Sequence, residues 1–246
     1  MGKAMDLDFS IASIIGIIPA IVLLYNLLKK YEQPYVEYAL FDFSRVGMGF
    51  IIGLFAGIVA AIGRYVFYEV ITTSEWVELV IIMLLCFPFF EELLKLIILN
   101  TKFFRRKFDT VFYGISLGIS IGLMTFISFA IFALSNTDIA ASPAYIGILL
   151  LAAMNFIFIN AFTGSLIAYG VYVQSIWAHL LRAVLFSAIN NLLMFPFFRA
   201  IPNIMYLFLF FAFLYSIFAV YLIERKVIPS AIPEKIKKEW RGKHGD

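Results

Sequence analysis

Residues 77–99 read VELVIIMLLCFPFFEELLKLIIL: after Glu78 the run is apolar as far as Phe90, and then Glu91, Glu92 and Lys95 interrupt it. A helix of this length rises about 35 Å, enough to cross a hydrocarbon core of about 30 Å. Comparable runs occupy 11–28, 46–63, 111–134, 146–173, 180–198 and 204–223, which gives seven expected membrane spans. The run at 146–173 is longer than one crossing needs, so it is expected to tilt or to begin as an interfacial helix after Pro143. None of the runs alternates apolar and polar residues as a membrane β-barrel strand does. The fold class expected is therefore all-α, a polytopic bundle of about seven transmembrane helices forming a single domain, followed by a basic tail at 224–246.

Composition agrees with this reading. Of 246 residues, 63% are hydrophobic and 14% charged, against roughly half and about a quarter in soluble domains. The formal charge of +3 is too small to indicate nucleic-acid binding. Basic residues instead mark sidedness, because cytoplasmic loops collect Lys and Arg. Fifteen of the 19 basic residues fall in one set of loops and in the tail; Lys3, Arg64 and Arg199 are assigned to the other side, and Lys95 lies within a span. The N-terminus is then expected outside and the C-terminus in the cytoplasm. The first apolar segment, preceded by Lys3, Asp6 and Asp8 without a small-residue cleavage site, reads as a retained anchor. The tail, with Lys235, Lys237, Lys238, Arg241 and Lys243 around Trp240, is suited to resting on anionic lipid. Cys86, the one cysteine, excludes an intrachain disulfide and is read as a small buried apolar residue.

Charges inside a span are costly, about 2.5–3.5 kcal/mol each near a helix centre on insertion scales, and mark candidate functional positions. Glu91 and Lys95 are spaced i, i+4 and are expected to pair on one helical face. Glu91 lies roughly 12 Å from the end of its helix at Leu99. Pro88, just before it, is expected to kink the helix and open a wet cleft. The next span carries Gly114, Gly118 and Gly122, a small-residue stripe along which a second helix packs closely.

Taken together, the Glu91-Glu92-x-x-Lys95 helix, a short basic loop and Phe108-Asp109-x-x-x-Tyr113-Gly114-x-x-x-Gly118 resemble the opening motifs of the PrsW family of intramembrane proteases, themselves distantly similar to CAAX-prenyl proteases. The resemblance covers roughly residues 85–122. It implies a membrane peptidase of a prokaryotic cell membrane that hydrolyses membrane-embedded or juxtamembrane peptide substrates. On that likeness Glu91 and Glu92 are the catalytic or metal-binding carboxylates, and a divalent metal such as zinc is the implied cofactor. Lys95, Asp109, Tyr113, Asn160, Asn190 and Asn191 are the supporting residues.

The chain departs from the family where it carries Ser120 to Phe126 in place of a second acidic site, and Asn160, Asn190 and Asn191 near the positions of two histidines. His179 and His244 are the only histidines, and a zinc site typically takes about three protein ligands. A metal-free variant would use one glutamate as general base and an asparagine as oxyanion donor. Two further readings stand beside hydrolysis: a catalytically inactive descendant that binds membrane-protein partners, and a small transporter with a Glu/Lys site.

Overall fold

The computed structural model describes residues 2–32, 40–105, 107–135, 143–199, 201 and 204–243, with only the backbone described at 2–9, 32, 68, 71–72, 77, 133–135, 143–145 and 239–243. Its elements are α1 (Gly2–Glu32), α2 (Phe43–Thr73), α3 (Val77–Leu99), α4 (Thr110–Ser135), α5 (Pro143–Tyr172), α6 (Ile176–Phe198) and α7 (Met205–Leu222), then a π-turn (Ile223–Val227), α8 (Ile228–Ala231) and α9 (Glu234–Lys243). His244 lies outside the described residues. Helices are the expected solution for such a sequence, because in lipid each backbone N–H and C=O must be paired within its own segment.

Six of these helices are long and apolar enough to cross a membrane: α1, α2, α4, α5, α6 and α7 together with its π-turn and α8. The protein is thus a multi-pass helical bundle. α3, the seventh expected span, has the length at 23 residues, but Glu91, Glu92 and Lys95 crowd its second half.

α4 and α5 form the centre. They run antiparallel, backbone against backbone: a Cβ on Gly118 would lie 2.1 Å from the Asn160 carbonyl oxygen, and one on Gly114 2.4 Å from that of Gly164. Gly122 meets the Phe156 carbonyl in the same way at 2.7 Å. The stripe expected from the sequence is therefore a helix-packing seam, and α5 contributes Gly164 to it. The opposite face of α4 is clamped by Gly49, Gly53 and Gly57 of α2, with Gly53 set against Ser120 and the Leu117 carbonyl. α1 crosses α4 at Gly16, against Leu123 and Phe126. α3, α6 and α7 surround α5, and the outer helices turn Ile14, Phe55, Ile62, Phe90, Leu181 and Phe211 outward.

Two expectations are corrected at this level. Cys86 is exposed on the outer surface of α3 instead of buried, because it falls on the helical face shared with Ile82, Phe89 and Phe90, all of them exposed. Arg64 does not belong to a loop beyond the second span. The helix continues past it to Thr73, and its side chain is buried in the bundle at 3% exposure.

α5 and α6 are joined by a tight turn in which Gln174 takes a left-handed conformation (φ 59°). Ser175 N–H closes it onto the Gly170 carbonyl at 2.9 Å. A Cβ on Gly170 would come 2.6 Å from that of His179, so only glycine lets α6 start this close to α5. Further along α6, Ser187 meets α3 and Asn191 meets α2.

Candidate functional site

Among the described residues, the buried carboxylates and the buried lysine and arginine come from two helices. α3 supplies Glu91, Glu92 and Lys95, exposed by 3%, 0% and 0%, and α2 supplies Arg64. Successive helical positions point about 100° apart, so neighbouring glutamates cannot address the same partner. Glu91 Oε2 accepts from the Arg64 guanidinium at 2.5 Å, while Glu92 is bound through both oxygens by Lys95 Nζ at 2.9 and 3.0 Å. The expected Glu91–Lys95 pair is therefore replaced by an i, i+3 pair with Glu92. The reason is that Arg64 reaches Glu91 from a neighbouring helix, a contact that spacing along α3 cannot encode.

Each pair is anchored to a further helix. Arg64 donates to Asn191 Oδ1 on α6 at 2.9 Å, and its guanidinium lies 4.6 Å above the Phe87 ring and 5.5 Å from that of Phe67. Ser187 on α6 donates to Glu92 Oε1 at 2.6 Å. Lys95 also donates to Thr163 Oγ1 on α5 at 2.8 Å, and that hydroxyl in turn donates a hydrogen bond to the Asn160 backbone carbonyl at 3.3 Å. Four helices thus meet in one buried cluster of two anions and two cations. Removing such charges from water costs several kcal/mol per ion, offset only by good geometry and by hydrogen bonds to the remaining lone pairs. Glu92 meets that demand fully. Glu91 meets it in part: the Asn160 carboxamide lies beside it, yet Oε1 has no hydrogen-bond partner.

Of the residues expected to support the glutamates, Lys95, Asn160 and Asn191 join the cluster. Asn190 is buried on α6 with its Oδ1 unpartnered. Asp109 and Tyr113 do not join it. The Tyr113 hydroxyl donates to Asp109 Oδ2 at 3.0 Å across the first turn of α4, and the Tyr113 ring packs on Phe104, which makes them a separate pair near the helix start. Among the described residues, the wet cleft expected at Pro88 is not formed. α3 runs unbroken through that proline, and the two carboxylates are closed off from solvent. A groove of about 240 Å³ does open between α2 and α4, but it is apolar and lined by Ile58, Ile62, Tyr65, Met124 and Ile131 among others.

Arg64, Thr163 and Ser187 are the cluster members that sequence reasoning did not place in the site. The signal for Arg64 was present: the apolar, aromatic stretch Tyr65-Val66-Phe67 continues the helix on its far side.

The implied divalent metal does not fit these residues. A zinc-type centre takes about three nitrogen, sulfur or carboxylate ligands with a position left open. Here both carboxylates already bind cationic side chains, and among the described residues no group of three His, Cys, Asp or Glu comes together. A divalent cation placed beside Arg64 and Lys95 would also meet two like charges in a medium of low dielectric.

Comparison of the chain with family models, curated proteins and solved structures finds no match in any of the three.

Proposed function

We propose that this chain is a diverged relative of the PrsW-like peptidases, resident in a prokaryotic cell membrane, that binds a segment of a membrane-protein partner and does not hydrolyse it. One observation carries the reading: both members of the glutamate pair are neutralised inside the protein, Glu91 by Arg64 and Glu92 by Lys95, at 3% exposure or less. A general base needs a basic lone pair within reach of water and substrate. An ion-paired carboxylate buried at 3% exposure or less is a weak base and is shielded from a substrate. The resemblance along residues 85–122 supplies the class of partner, a transmembrane or juxtamembrane segment reached sideways from the lipid.

Hydrolysis remains the second reading, favoured by one feature: Glu91 Oε1 has no partner while the Asn160 carboxamide lies alongside, the arrangement of a base with an amide donor near it. The test separates the two. Purified wild-type protein, Glu91→Gln and Glu92→Gln are incubated with a panel of transmembrane peptides, with binding and cleavage read together. Binding without cleavage in all three is the expected result. Cleavage by the wild type that both substitutions abolish would overturn the proposal in favour of a peptidase, and proteoliposome ion flux abolished by Glu91→Gln would replace both with a transporter.

A further inference from the structure

Away from the glutamate cluster, the ends of α1 and α7 each carry two adjacent cations, and the Lys30–Glu224 ion pair brings these two helix ends together. α1 carries Lys29 and Lys30 in its last turn. α7 runs into the π-turn, which presents Glu224, Arg225 and Lys226 while Ile223 and Val227 stay buried. A π-turn inserts an extra residue into the helical winding and recurs at functional positions. Lys30 Nζ donates to Glu224 Oε2 at 3.0 Å, which ties the two helix ends together, with 58% and 34% of the two side chains exposed. Lys29 lies 5.4 Å from the centre of the Tyr25 ring.

The apolar segments that end here extend to Tyr31 on α1 and Ala231 beyond α7, so these charges sit in the last turns of membrane-crossing helices, at headgroup depth. Directly along α1, Ile18, Val22 and Tyr25 form an outward stripe, exposed by 59%, 51% and 55%, on the helical face that leads to Lys29. An apolar stripe, then an aromatic ring, then four cations against one carboxylate is the profile of a single lipid with a negative headgroup. Interfacial tyrosines favour that depth, and each surface cation attracts anionic lipid by a comparable amount.

We propose that this corner is a binding site for an anionic phospholipid, with Lys29, Lys30, Arg225 and Lys226 around the phosphate and an acyl chain along Ile18, Val22 and Tyr25. Glu224 is the built-in competitor: it holds Lys30 when the headgroup is absent, and the phosphate displaces it. The site is independent of whatever the glutamate cluster does.

The experiment uses the purified 246-residue chain in a neutral detergent. Phosphatidylglycerol, phosphatidylcholine and inorganic phosphate are titrated separately and bound lipid is read by native mass spectrometry. Phosphatidylglycerol is expected to bind and phosphatidylcholine to bind much more weakly. Replacing Lys29, Lys30, Arg225 and Lys226 with Gln should weaken phosphatidylglycerol by about fivefold for each charge removed, whereas Lys235→Gln with Lys237→Gln and Lys238→Gln in α9 should weaken it far less. Glu224→Gln should tighten it, an effect that a purely structural bridge would not give, and thermal midpoints confirm that each variant is folded. Equal binding of the two lipids, full retention in the fourfold variant, weaker binding in Glu224→Gln, or displacement of phosphatidylglycerol by millimolar inorganic phosphate would each overturn the assignment.

Discussion

Breaking one of the two buried ion pairs leaves its partner charged and uncompensated inside the bundle, which costs about 3–5 kcal/mol. Arg64→Met and Lys95→Met are each expected to lower stability by that order, read as a large fall in the thermal midpoint of the detergent-solubilised protein. The pairing makes a sharper forecast. Arg64→Met combined with Glu91→Met should recover most of the loss, while Arg64→Met combined with Glu92→Met should not; a double-mutant cycle with no coupling between Arg64 and Glu91 would contradict the structure. These assignments also show where the site was legible. The cost of burying charge made Glu91, Glu92 and Lys95 stand out in an apolar helix, and that part of the reading was local. Arg64 sits at the edge of an apolar run and looked like a topology marker, because a one-dimensional pattern does not say which helix a long side chain reaches. Asn160 and Asn191 were found by analogy with another family's positions, and Asp109 and Tyr113, found in the same way, belong to a separate hydrogen-bonded pair.

At the scale of elements, the order and approximate extent of the helices followed from hydropathy: α3 was placed at 77–99, and α4 and α5 were displaced by a few residues at most. The errors fall at ends where polarity and helicity part company. α2 runs to Thr73 through a buried arginine, and α7 continues through Arg225 and Lys226 as a π-turn, so a charged residue was taken for a boundary that the backbone ignores. The close contacts between α4 and its neighbours yield a test of their own. Gly118→Ala places a methyl group 2.1 Å from the Asn160 carbonyl, and Gly53→Ala places one 1.9 Å from Ser120 Oγ; each is expected to destabilise by about 1–3 kcal/mol. Gly47→Ala and Gly147→Ala meet nothing within 4 Å and should be neutral or slightly stabilising, since alanine outranks glycine as a helix former. Equal losses at all four glycines, measured by chemical or thermal unfolding, would refute the seam.

For the molecule as a whole, the ends of the helices sort the charges. The ends of α1, α3 and α7 and the starts of α2 and α4 carry Lys29, Lys30, Arg45, Lys102, Arg105, Lys107, Arg225 and Lys226. The opposite end brings the α2–α3 connection to the start of the α6–α7 connection, where Arg199 donates to the Ser74 carbonyl at 2.6 Å. From the positive-inside rule we propose that the first end faces the cytoplasm. In a Cys86→Ser background, a cysteine at Lys102 is expected to react with a membrane-impermeant maleimide only from the cytoplasmic side, and one at Glu75 only from the outside; the reverse pattern would invert the proposed orientation. That background discards a thiol that is useful in its own right. Cys86 looks outward from α3, little more than one turn ahead of Glu91, so the unaltered protein arrives with a single attachment point for a nitroxide. Oxygen and nickel-chelate relaxation of that probe would gauge how deeply this part of α3 is immersed, and a slowing of its motion would report a neighbour settling on that helix.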